Sequence, residues 1–208
     1  EVNENGPEIC EEEVRRMLEK AKELVKNREF VVMCGSCPPG VPVSFYSDII
    51  CMAKEAGTKT ILDTSNDHLR EAIKSAPFMV KPNTAELSQI AGRELRTLEE
   101  IVNAAKSLKQ FGVGITAVTM GQSGAIITDG IQTWKAVPPE VKFVSAVGSG
   151  DAFVAAFIDA VLGGASVAEA LVSGTAAGTA NATTFGAGFC SIECIMEARQ
   201  GVTLTKIS

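Results

Sequence analysis

The sequence lacks a surplus of basic residues, an uninterrupted apolar segment of membrane-spanning length and an apolar leader at its start. Its formal charge of −6 gives no electrostatic reason to expect nucleic acid as a partner, and we expect none. The longest segment rich in small residues, 152–182, is interrupted by Asp159 and Glu169, so we expect no membrane span. Residues 1–4 are mostly polar and acidic, which predicts a cytoplasmic protein.

Histidine is also scarce, and this bears on the six cysteines. The pairs Cys34–Cys37 and Cys190–Cys194 together offer the four thiolates of a zinc site. The single histidine, His68, is far from both pairs in the sequence and lies in a polar helix start, so we expect it at the surface. We expect the cysteines to be reduced, buried thiols that pack as small apolar side chains. A zinc protein or a thiol-redox protein remains an alternative.

Apolar runs of strand length alternate with helical patterns along the chain. The predicted strands are 30–34, 60–63, 78–80, 115–119, 125–128 and 132–135, and a further strand-like segment precedes Gly6-Pro7. Helical patterns cover 9–26, 65–75, 84–91 and 98–108, and others begin near Phe45 and after Gly150, Ser166 and Ser191. This alternation predicts one α/β domain over residues 1–208, with a mostly parallel sheet covered by helices on both faces. Ligands bind beyond the carboxyl ends of the strands in such sheets.

The stretch from Val147 to Asp151, Val-Gly-Ser-Gly-Asp, lies between a β-prone run, 141–147, and a helical pattern. Its two glycines let the backbone approach a ligand and turn successive N–H groups outward. The start of a helix also favours an anion. A carboxylate at this point, Asp151, suits a reaction in which a hydroxyl attacks a phosphoryl group. The simpler alternative is that Asp151 only caps the helix.

Two other turns carry groups that suit nucleotide chemistry. Asn83 and Glu86 stand three residues apart at a predicted helix start, and their oxygens suit Mg²⁺. A helix cap explains this pair equally well. Lys81, just ahead, is a candidate phosphate ligand or else a solvated strand end. The glycine turn 119–124 has a backbone that suits nucleotide phosphates, but glycine spacing alone does not distinguish it from an ordinary turn.

Five motifs therefore follow one another in a definite order. They are Gly35-Ser36-x-Pro38-Pro39-Gly40, Asp63-Thr64-Ser65, Lys81-Pro82-Asn83-x-x-Glu86-Leu87, Thr119-x-Gly121-x-x-Gly124 and Val147-Gly148-Ser149-Gly150-Asp151. Their order and intervals resemble those of the PfkB, or ribokinase-like, carbohydrate kinases over the whole chain. Within that family the sequence is most similar to the 1-phosphofructokinase and tagatose-6-phosphate kinase branch, which shares the opening Asn3-Glu4-x-Gly6-Pro7.

The resemblance implies a role for each motif. Asp151 is implied to take the proton of the acceptor hydroxyl, while Gly148, Ser149 and Gly150 bind the transferring phosphoryl group. ATP and Mg²⁺ are the implied cofactors, with the metal held by Asn83 and Glu86. The residues implied to bind ATP are Lys81, Asn83, Thr119, Gly121, Gln122, Ser123, Gly124, Gly150 and Asn181. Ser36 and Asp151 are implied to contact the sugar phosphate.

Family members often bind a monovalent cation such as K⁺, and the residues that match this site loosely are Ser145, Val147, Gly186 and Gly188.

The implied activity is the ATP-dependent conversion of fructose 1-phosphate to fructose 1,6-bisphosphate, with tagatose 6-phosphate and fructose 6-phosphate as alternative substrates. The implied fold is ribokinase-like, without the N-terminal strands and the lid over the sugar. The chain would then be the C-terminal nucleotide-binding and catalytic part of such a kinase. We expect it to phosphorylate sugars poorly alone, and we expect the full-length protein to be a homodimer. The rival interpretation is a truncated, non-catalytic nucleotide-binding module.

Overall fold

The structure is a computed structural model that describes residues 6–208. The strand-like segment predicted ahead of Gly6 lies outside the described residues. The chain forms two compact units. The first runs to Leu95 and adds Ser107–Thr116, and the second comprises Arg96–Lys106 and Ala117–Ser208. The single domain predicted for residues 1–208 stays a prediction.

The first unit alternates helices and strands, as the apolar pattern predicts. Its elements are α1 (Glu11–Leu24), β1 (Phe30–Cys34), α2 (Phe45–Glu55), β2 (Lys59–Asp63), α3 (Asn66–Ile73), β3 (Met79–Val80), α4 (Thr84–Ala91), a 3₁₀ turn (Leu108–Phe111) and the start of β4 (Ile115–Thr119). The strands β1 to β4 pair in parallel and in chain order. Ile61, Leu62 and Met79 are fully buried, because a parallel strand covered by helices has no solvent face.

The register of these strands brings their carboxyl ends to the same edge. Cys34 at the end of β1 lies opposite Asp63 at the end of β2, and Leu62 lies opposite Val80 at the end of β3. The turns that follow the three strands therefore lie along one edge of the first unit. These turns contain the predicted site residues Ser36, Lys81 and Asn83, and Glu86 lies in the first turn of the helix α4 that follows.

The second unit contains the remaining elements. They are α5 (Leu98–Ser107, whose last residue belongs to the first unit), the end of β4, a 3₁₀ turn (Gly121–Ser123), β5 (Ala125–Thr128), β6 (Thr133–Val137), α6 (Ser149–Leu162), α7 (Val167–Ala182), α8 (Ile192–Gly201) and β7 (Thr203–Lys206). The predicted hairpin is confirmed, because β5 and β6 are antiparallel. Its turn is stabilised by Asp129, whose carboxylate accepts the backbone N–H groups of Ile131 and Gln132 at 2.8 Å each.

Two parts of the second unit differ from the sequence-based prediction. The run 141–147 is not a strand: the N–H groups of Val144 and Ser145 donate to the carbonyl of Ala182 instead of to a neighbouring strand. Conversely, β7 was not predicted, because its Thr-Leu-Thr-Lys pattern is short and mostly polar. It pairs antiparallel with β6, where the ammonium group of Lys206 lies 5.5 Å from the ring centre of Trp134.

The many small residues of 152–182 serve close packing of α6 against α7. A Cβ atom at Gly174 would lie 2.9 Å from the ring of Phe153, and one at Gly178 would lie 3.1 Å from the carbonyl oxygen of Ser149. Phe153 in turn stacks on Phe157, with ring centres 6.4 Å apart. In the part of the chain that the structure describes, no helix combines the length and the apolar character needed to cross a membrane.

Candidate functional site

The turn after β1 is fixed by two hydroxyl groups. The carbonyl oxygen of Gly35 accepts the hydroxyl of Tyr46 at 3.0 Å and the hydroxyl of Thr64 at 2.7 Å. Gly35 itself has φ +90°, which favours glycine. Because the next peptide bond is trans, the N–H of Ser36 points away from the held carbonyl. Ser36 is exposed, so its N–H and hydroxyl suit an anion.

Tyr46 is a residue that sequence reasoning missed, although it is the only tyrosine in the chain. Its side chain is buried, and this burial, with the neighbouring Cys37 thiol, raises the pKa of Tyr46, so the hydroxyl keeps its proton. Burial also raises the pKa of Cys37. The other face of Tyr46 meets the ring of His68 edge-on, with ring centres 6.1 Å apart. The expected surface position of His68 is thus wrong: the residue is half-buried, and its ring packs against Tyr46.

Lys81, directly after β3, is buried and paired. Its ammonium group lies 3.0 Å from a carboxylate oxygen of Asp63, and the two side chains are only 6% and 17% exposed. Such a pair is shielded from solvent and holds both groups in one geometry. Lys81 is therefore not the solvated strand end considered from the sequence, and its predicted contact with a phosphate stays a prediction.

Asn83 and Glu86 form the capping box of α4. The backbone N–H of Asn83 donates to the Glu86 carboxylate at 2.8 Å, and the Glu86 N–H donates to the Asn83 side-chain oxygen at 2.9 Å. Partial burial raises the pKa of Glu86, the Asn83 N–H opposes that rise, the Asp63 carboxylate adds to it, and Lys81 opposes it. Two carboxylates thus share one lysine, and a divalent cation with oxygen ligands fits this charge balance.

In the second unit, Gly148 forms the turn that starts α6. It has φ +80°, and a Cβ atom there would lie 2.5 Å from the Cβ of Ala187, so no side chain fits. The N–H of Ser149 donates to the carbonyl of Ala146 at 3.1 Å. Helical geometry leaves the N–H groups of Gly150 and Asp151 without an acceptor inside the helix. The Asp151 side chain is exposed in this first turn, so the carboxylate is accessible beside donors that suit an anion.

Asn181, on the last turn of α7, is fully buried. Its side-chain NH₂ group donates to the carbonyl of Val147 at 2.8 Å and to the hydroxyl of Ser149 at 3.2 Å. Its side-chain oxygen accepts the N–H of Gly188 at 2.8 Å. Its predicted contact with ATP stays a prediction. In the structure, the side-chain amide of Asn181 is hydrogen-bonded on both its nitrogen and its oxygen to groups of the protein.

The residues matched to a monovalent cation occupy two segments that Asn181 joins. One segment contains Ser145 and Val147, whose N–H donates to the Ser145 hydroxyl at 3.2 Å. The other contains Gly186 and Gly188, both with positive φ. Carbonyl and hydroxyl oxygens of this kind suit a cation that prefers oxygen ligands, and the cation site stays a prediction.

The turn after β4 is compact and closed by its own backbone. The N–H of Met120 donates to the carbonyl of Gly124 at 2.8 Å, and the N–H of Gly124 donates to Gly121 at 3.0 Å. Thr119 is half-buried, whereas the residues of the 3₁₀ turn are exposed, namely Gly121, Gln122 and Ser123. The exposed residues of this turn suit contact with nucleotide phosphates, and that contact stays a prediction.

The six cysteines, all of which lie in the described part of the chain, form no disulfide bonds. Cys37 and Cys190 are half-buried, and the others are exposed. The expectation that they are buried small apolar side chains is therefore wrong for four of them. Cys51 and Cys194 lie on the outward faces of helices, and Cys34 ends the strand β1 at the edge where the site residues of the first unit lie.

Comparison with known proteins gives the family. The pattern of the pfkB family carbohydrate kinases matches residues 1–194. The chain is 40% identical over 146 residues to the 1-phosphofructokinase of Rhodobacter capsulatus, which is 70% of this chain and 46% of that protein. It is 34% identical over 183 residues to the 1-phosphofructokinase of Borreliella burgdorferi, which is 88% of this chain and 59% of that protein. The chain thus spans about half the length of the curated relatives it matches.

Among solved structures, phosphofructokinase-2 from Escherichia coli in complex with potassium superposes with a TM-score of 0.89 at 30% identity. The match covers 95% of this chain and 64% of that chain. The same E. coli protein in its tetrameric inhibited form gives a TM-score of 0.87. The ribokinase-like α/β fold predicted from the sequence is confirmed. On the family match and on these similarities, the chain belongs to the pfkB family of carbohydrate kinases.

Proposed function

We propose that the protein transfers the terminal phosphoryl group of ATP to a hydroxyl of a sugar phosphate, and that fructose 1-phosphate is the substrate. The observation that carries the proposal is the exposed Asp151 in the first turn of α6, directly after the glycine turn at Gly148. A carboxylate beside backbone N–H donors at a helix start combines a proton acceptor with an anion site.

In the proposed reaction, the acceptor oxygen forms a bond to the terminal phosphorus of ATP, and the bond between that phosphorus and the bridging oxygen breaks. ADP leaves with that electron pair, and Asp151 takes the hydroxyl proton. An aspartate is a weak base for a free alcohol. However, the transition state of phosphoryl transfer is loose and asks little of the nucleophile until late. The N–H groups of Gly148 and Gly150 then stabilise the charge on the transferring group. At Ser149 the proposed donor is the hydroxyl, because its N–H donates to the carbonyl of Ala146.

The remaining residues are proposed to hold the cofactors. Asn83 and Glu86 would hold Mg²⁺, directly or through water, and the metal would supply positive charge to the ATP phosphates. The raised pKa of Glu86 supports this assignment, since a nearby positive charge is favourable there. Lys81 and Asn83 in the first unit, and the turn from Thr119 to Gly124 in the second unit, are each proposed to bind phosphates of ATP. A monovalent cation such as K⁺ is proposed at Ser145, Val147, Gly186 and Gly188.

The choice of fructose 1-phosphate rests on the two relatives described as 1-phosphofructokinases. On the side of this chain, Ser36 supports recognition of a sugar phosphate, because its exposed N–H and hydroxyl follow a carbonyl that Tyr46 and Thr64 hold in place. We further propose that the whole protein is a cytoplasmic homodimer.

The test is a coupled ATP-consumption assay of the protein encoded by the complete gene, with the 208-residue chain in parallel. The substrates are fructose 1-phosphate, fructose 6-phosphate and tagatose 6-phosphate. We expect the largest kcat/KM with fructose 1-phosphate and poor turnover by the 208-residue chain alone. A larger kcat/KM with either other sugar phosphate would reassign the substrate.

The rival function, a non-catalytic nucleotide-binding module, predicts a different result in the same assay. ATP would bind, as measured by calorimetry, while none of the three sugar phosphates supports turnover by the complete protein. Intact-mass analysis of the native protein tests whether the chain is truncated. Metal analysis of protein purified under reducing conditions tests the zinc alternative.

A further inference from the structure

Asn181 joins two segments of the second unit that are far apart in the chain. Through its NH₂ group it holds Val147 and Ser149, and through its oxygen it holds Gly188. The side chain is fully buried. A buried amide left without partners would be costly, so these bonds fix its orientation and that of its partners.

The same two segments also pack directly on each other. Gly148 lies so close to Ala187 that a Cβ atom at position 148 would lie 2.5 Å from the Cβ of Ala187. The amide of Asn181 bonds on one side to the residue before Gly148, and on the other side to the residue after Ala187. The turn at Gly148 is therefore held by close packing and by hydrogen bonds on both flanks.

The bond to Val147 has a direct consequence for the next N–H group. The peptide bond between Val147 and Gly148 is trans, so the carbonyl of Val147 and the N–H of Gly148 point in opposite directions. Holding the carbonyl toward the interior with Asn181 therefore turns the Gly148 N–H outward. The bond to the Ser149 hydroxyl fixes the side chain of the first residue of α6.

We propose that Asn181 is a positioning residue for phosphoryl transfer: it orients the backbone donors that begin α6 without contacting the nucleotide. The proposal rests on the proposed kinase function. It replaces the ATP contact that the family resemblance implies for Asn181, because the amide hydrogens already bond to Val147 and Ser149. Donors that are oriented before the reaction stabilise the transition state more than the bound ground state.

The test compares Asn181→Ala and Asn181→Asp with the control Ser173→Ala in the complete protein. Asn181→Asp has nearly the same shape and keeps an acceptor for the Gly188 N–H, but it loses the donor to Val147. Ser173 lies on the same helix, is also buried, and accepts a hydrogen bond from Arg199. The hydrogen bond between Ser173 and Arg199 involves neither of the two segments that Asn181 joins. Removing the Ser173 hydroxyl therefore tests the effect of lost stability alone.

We expect both Asn181 variants to lower kcat by roughly 10- to 100-fold, as loss of an oriented donor does. The KM values for ATP and for the sugar phosphate should stay within about threefold, since ground-state binding is largely retained. Ser173→Ala should keep kcat within about twofold while its melting temperature falls. Hydrogen exchange of a peptide that covers 147–150 should accelerate in the Asn181 variants and not in the control.

Different outcomes separate this inference from the proposed function. A complete wild-type protein that transfers no phosphate to any of the three sugar phosphates overturns both. An active wild type in which Asn181→Asp keeps the kcat of the control overturns the role of Asn181 alone. If Asn181→Ala does not fold, Asn181→Asp decides the matter, and unchanged exchange at 147–150 in that variant also counts against the role.

Discussion

Asp151 stands in the first turn of α6, where the positive end of the helix dipole stabilises a carboxylate, and its side chain is exposed to solvent. Substitution of Asp151 by Asn keeps the size of the side chain and removes the proton acceptor. We expect kcat of the complete protein to fall by about 10²- to 10⁴-fold, the usual contribution of a general base. The Kd for ATP, measured by calorimetry, should change little. Near-normal turnover in this variant would show that Asp151 is only a helix residue.

Tyr46 supports the turn that is proposed to meet the sugar phosphate. In Tyr46→Phe the carbonyl of Gly35 keeps only the Thr64 hydroxyl, so the orientation of the Ser36 N–H loosens. We expect KM for the sugar phosphate to rise severalfold with little change in KM for ATP. The free energy of unfolding should fall by about 1 kcal/mol, the usual net value of a hydrogen bond.

The matched control for Tyr46 is Thr64→Val, which removes the other hydroxyl from the same carbonyl. Since both side chains act on one group, the effect of the double variant on KM should differ from the sum of the two single effects. Strictly additive effects would mean that Tyr46 and Thr64 do not act through Gly35.

Glu86 gives a pH-dependent prediction. Its pKa is raised in the folded protein, from a usual value of 4.5, by burial and by Asp63. A raised carboxyl pKa means that the folded state binds more protons than the unfolded state between the two pKa values. The contribution of Glu86 to stability is therefore greatest below the unfolded pKa and is lost as the pH rises through the folded pKa.

The variant Glu86→Gln keeps the cap on Asn83 and removes the charge. We expect it to be as stable as the wild type below about pH 4, near the unfolded pKa of glutamate, and more stable at neutral pH. Urea unfolding from pH 3.5 to 7.5 measures the difference. Mg²⁺ should raise the stability of the wild type at neutral pH and leave the variant unchanged. A stability difference that does not vary with pH would contradict the raised pKa.

At the scale of elements, the approach of α6 to α7 depends on Gly174. Substitution by Ala improves helix propensity by about 1 kcal/mol. However, the new methyl group would lie 2.9 Å from the ring of Phe153, which is buried and stacked on Phe157. Overpacking of this kind costs about 1–3 kcal/mol, so we expect a net loss of stability of roughly 1 kcal/mol in urea unfolding.

A suitable control for Gly174 is Gly163, at the end of α6. Its φ is −74°, and a Cβ atom there would meet only atoms at 3.4 Å, an ordinary contact. Gly163→Ala should therefore leave stability unchanged or raise it slightly. Equal effects of the two substitutions would show that the contact with Phe153 does not limit the packing.

The elements of the first unit were largely predictable, since buried parallel strands are apolar throughout and the helices between them are amphipathic. The capping pair Asn83 and Glu86 was also predictable from its spacing. The β-prone composition of the run 141–147 indicates a strand, but the run does not form one. Two of its N–H groups donate to the end of α7 instead of to a neighbouring strand. Strand β7 exists through pairing with β6, and no local pattern encodes that partner.

The same limit applies to individual site residues. The local glycine context predicts Asp151 as a site residue, and the structure shows that its side chain is exposed. Tyr46 and Asn181, by contrast, act on backbone groups that are 11 and 34 residues away in the chain. Local motifs carry no information about such partners, so the sequence did not point to Tyr46 or to the hydrogen bonds of Asn181 with the turn at Gly148.

At the scale of the whole molecule, the chain covers 46% and 59% of the two curated relatives. We expect the complete protein to elute as a dimer in light-scattering chromatography. A complete protein that stays monomeric at assay concentrations would contradict this expectation. The E. coli structure in its tetrameric inhibited form shows that assembly in that relative is not limited to two subunits.

The position of Trp134 has a practical consequence. It is the only tryptophan in the chain, and it lies on β6 with Lys206 of β7 over its ring. Excitation at the red edge of the absorption band therefore selects one optical reporter, which is placed where the last strand joins the second unit. Detachment of β7 should change its emission, so the pairing of β6 and β7 can be followed in the 208-residue chain without a label.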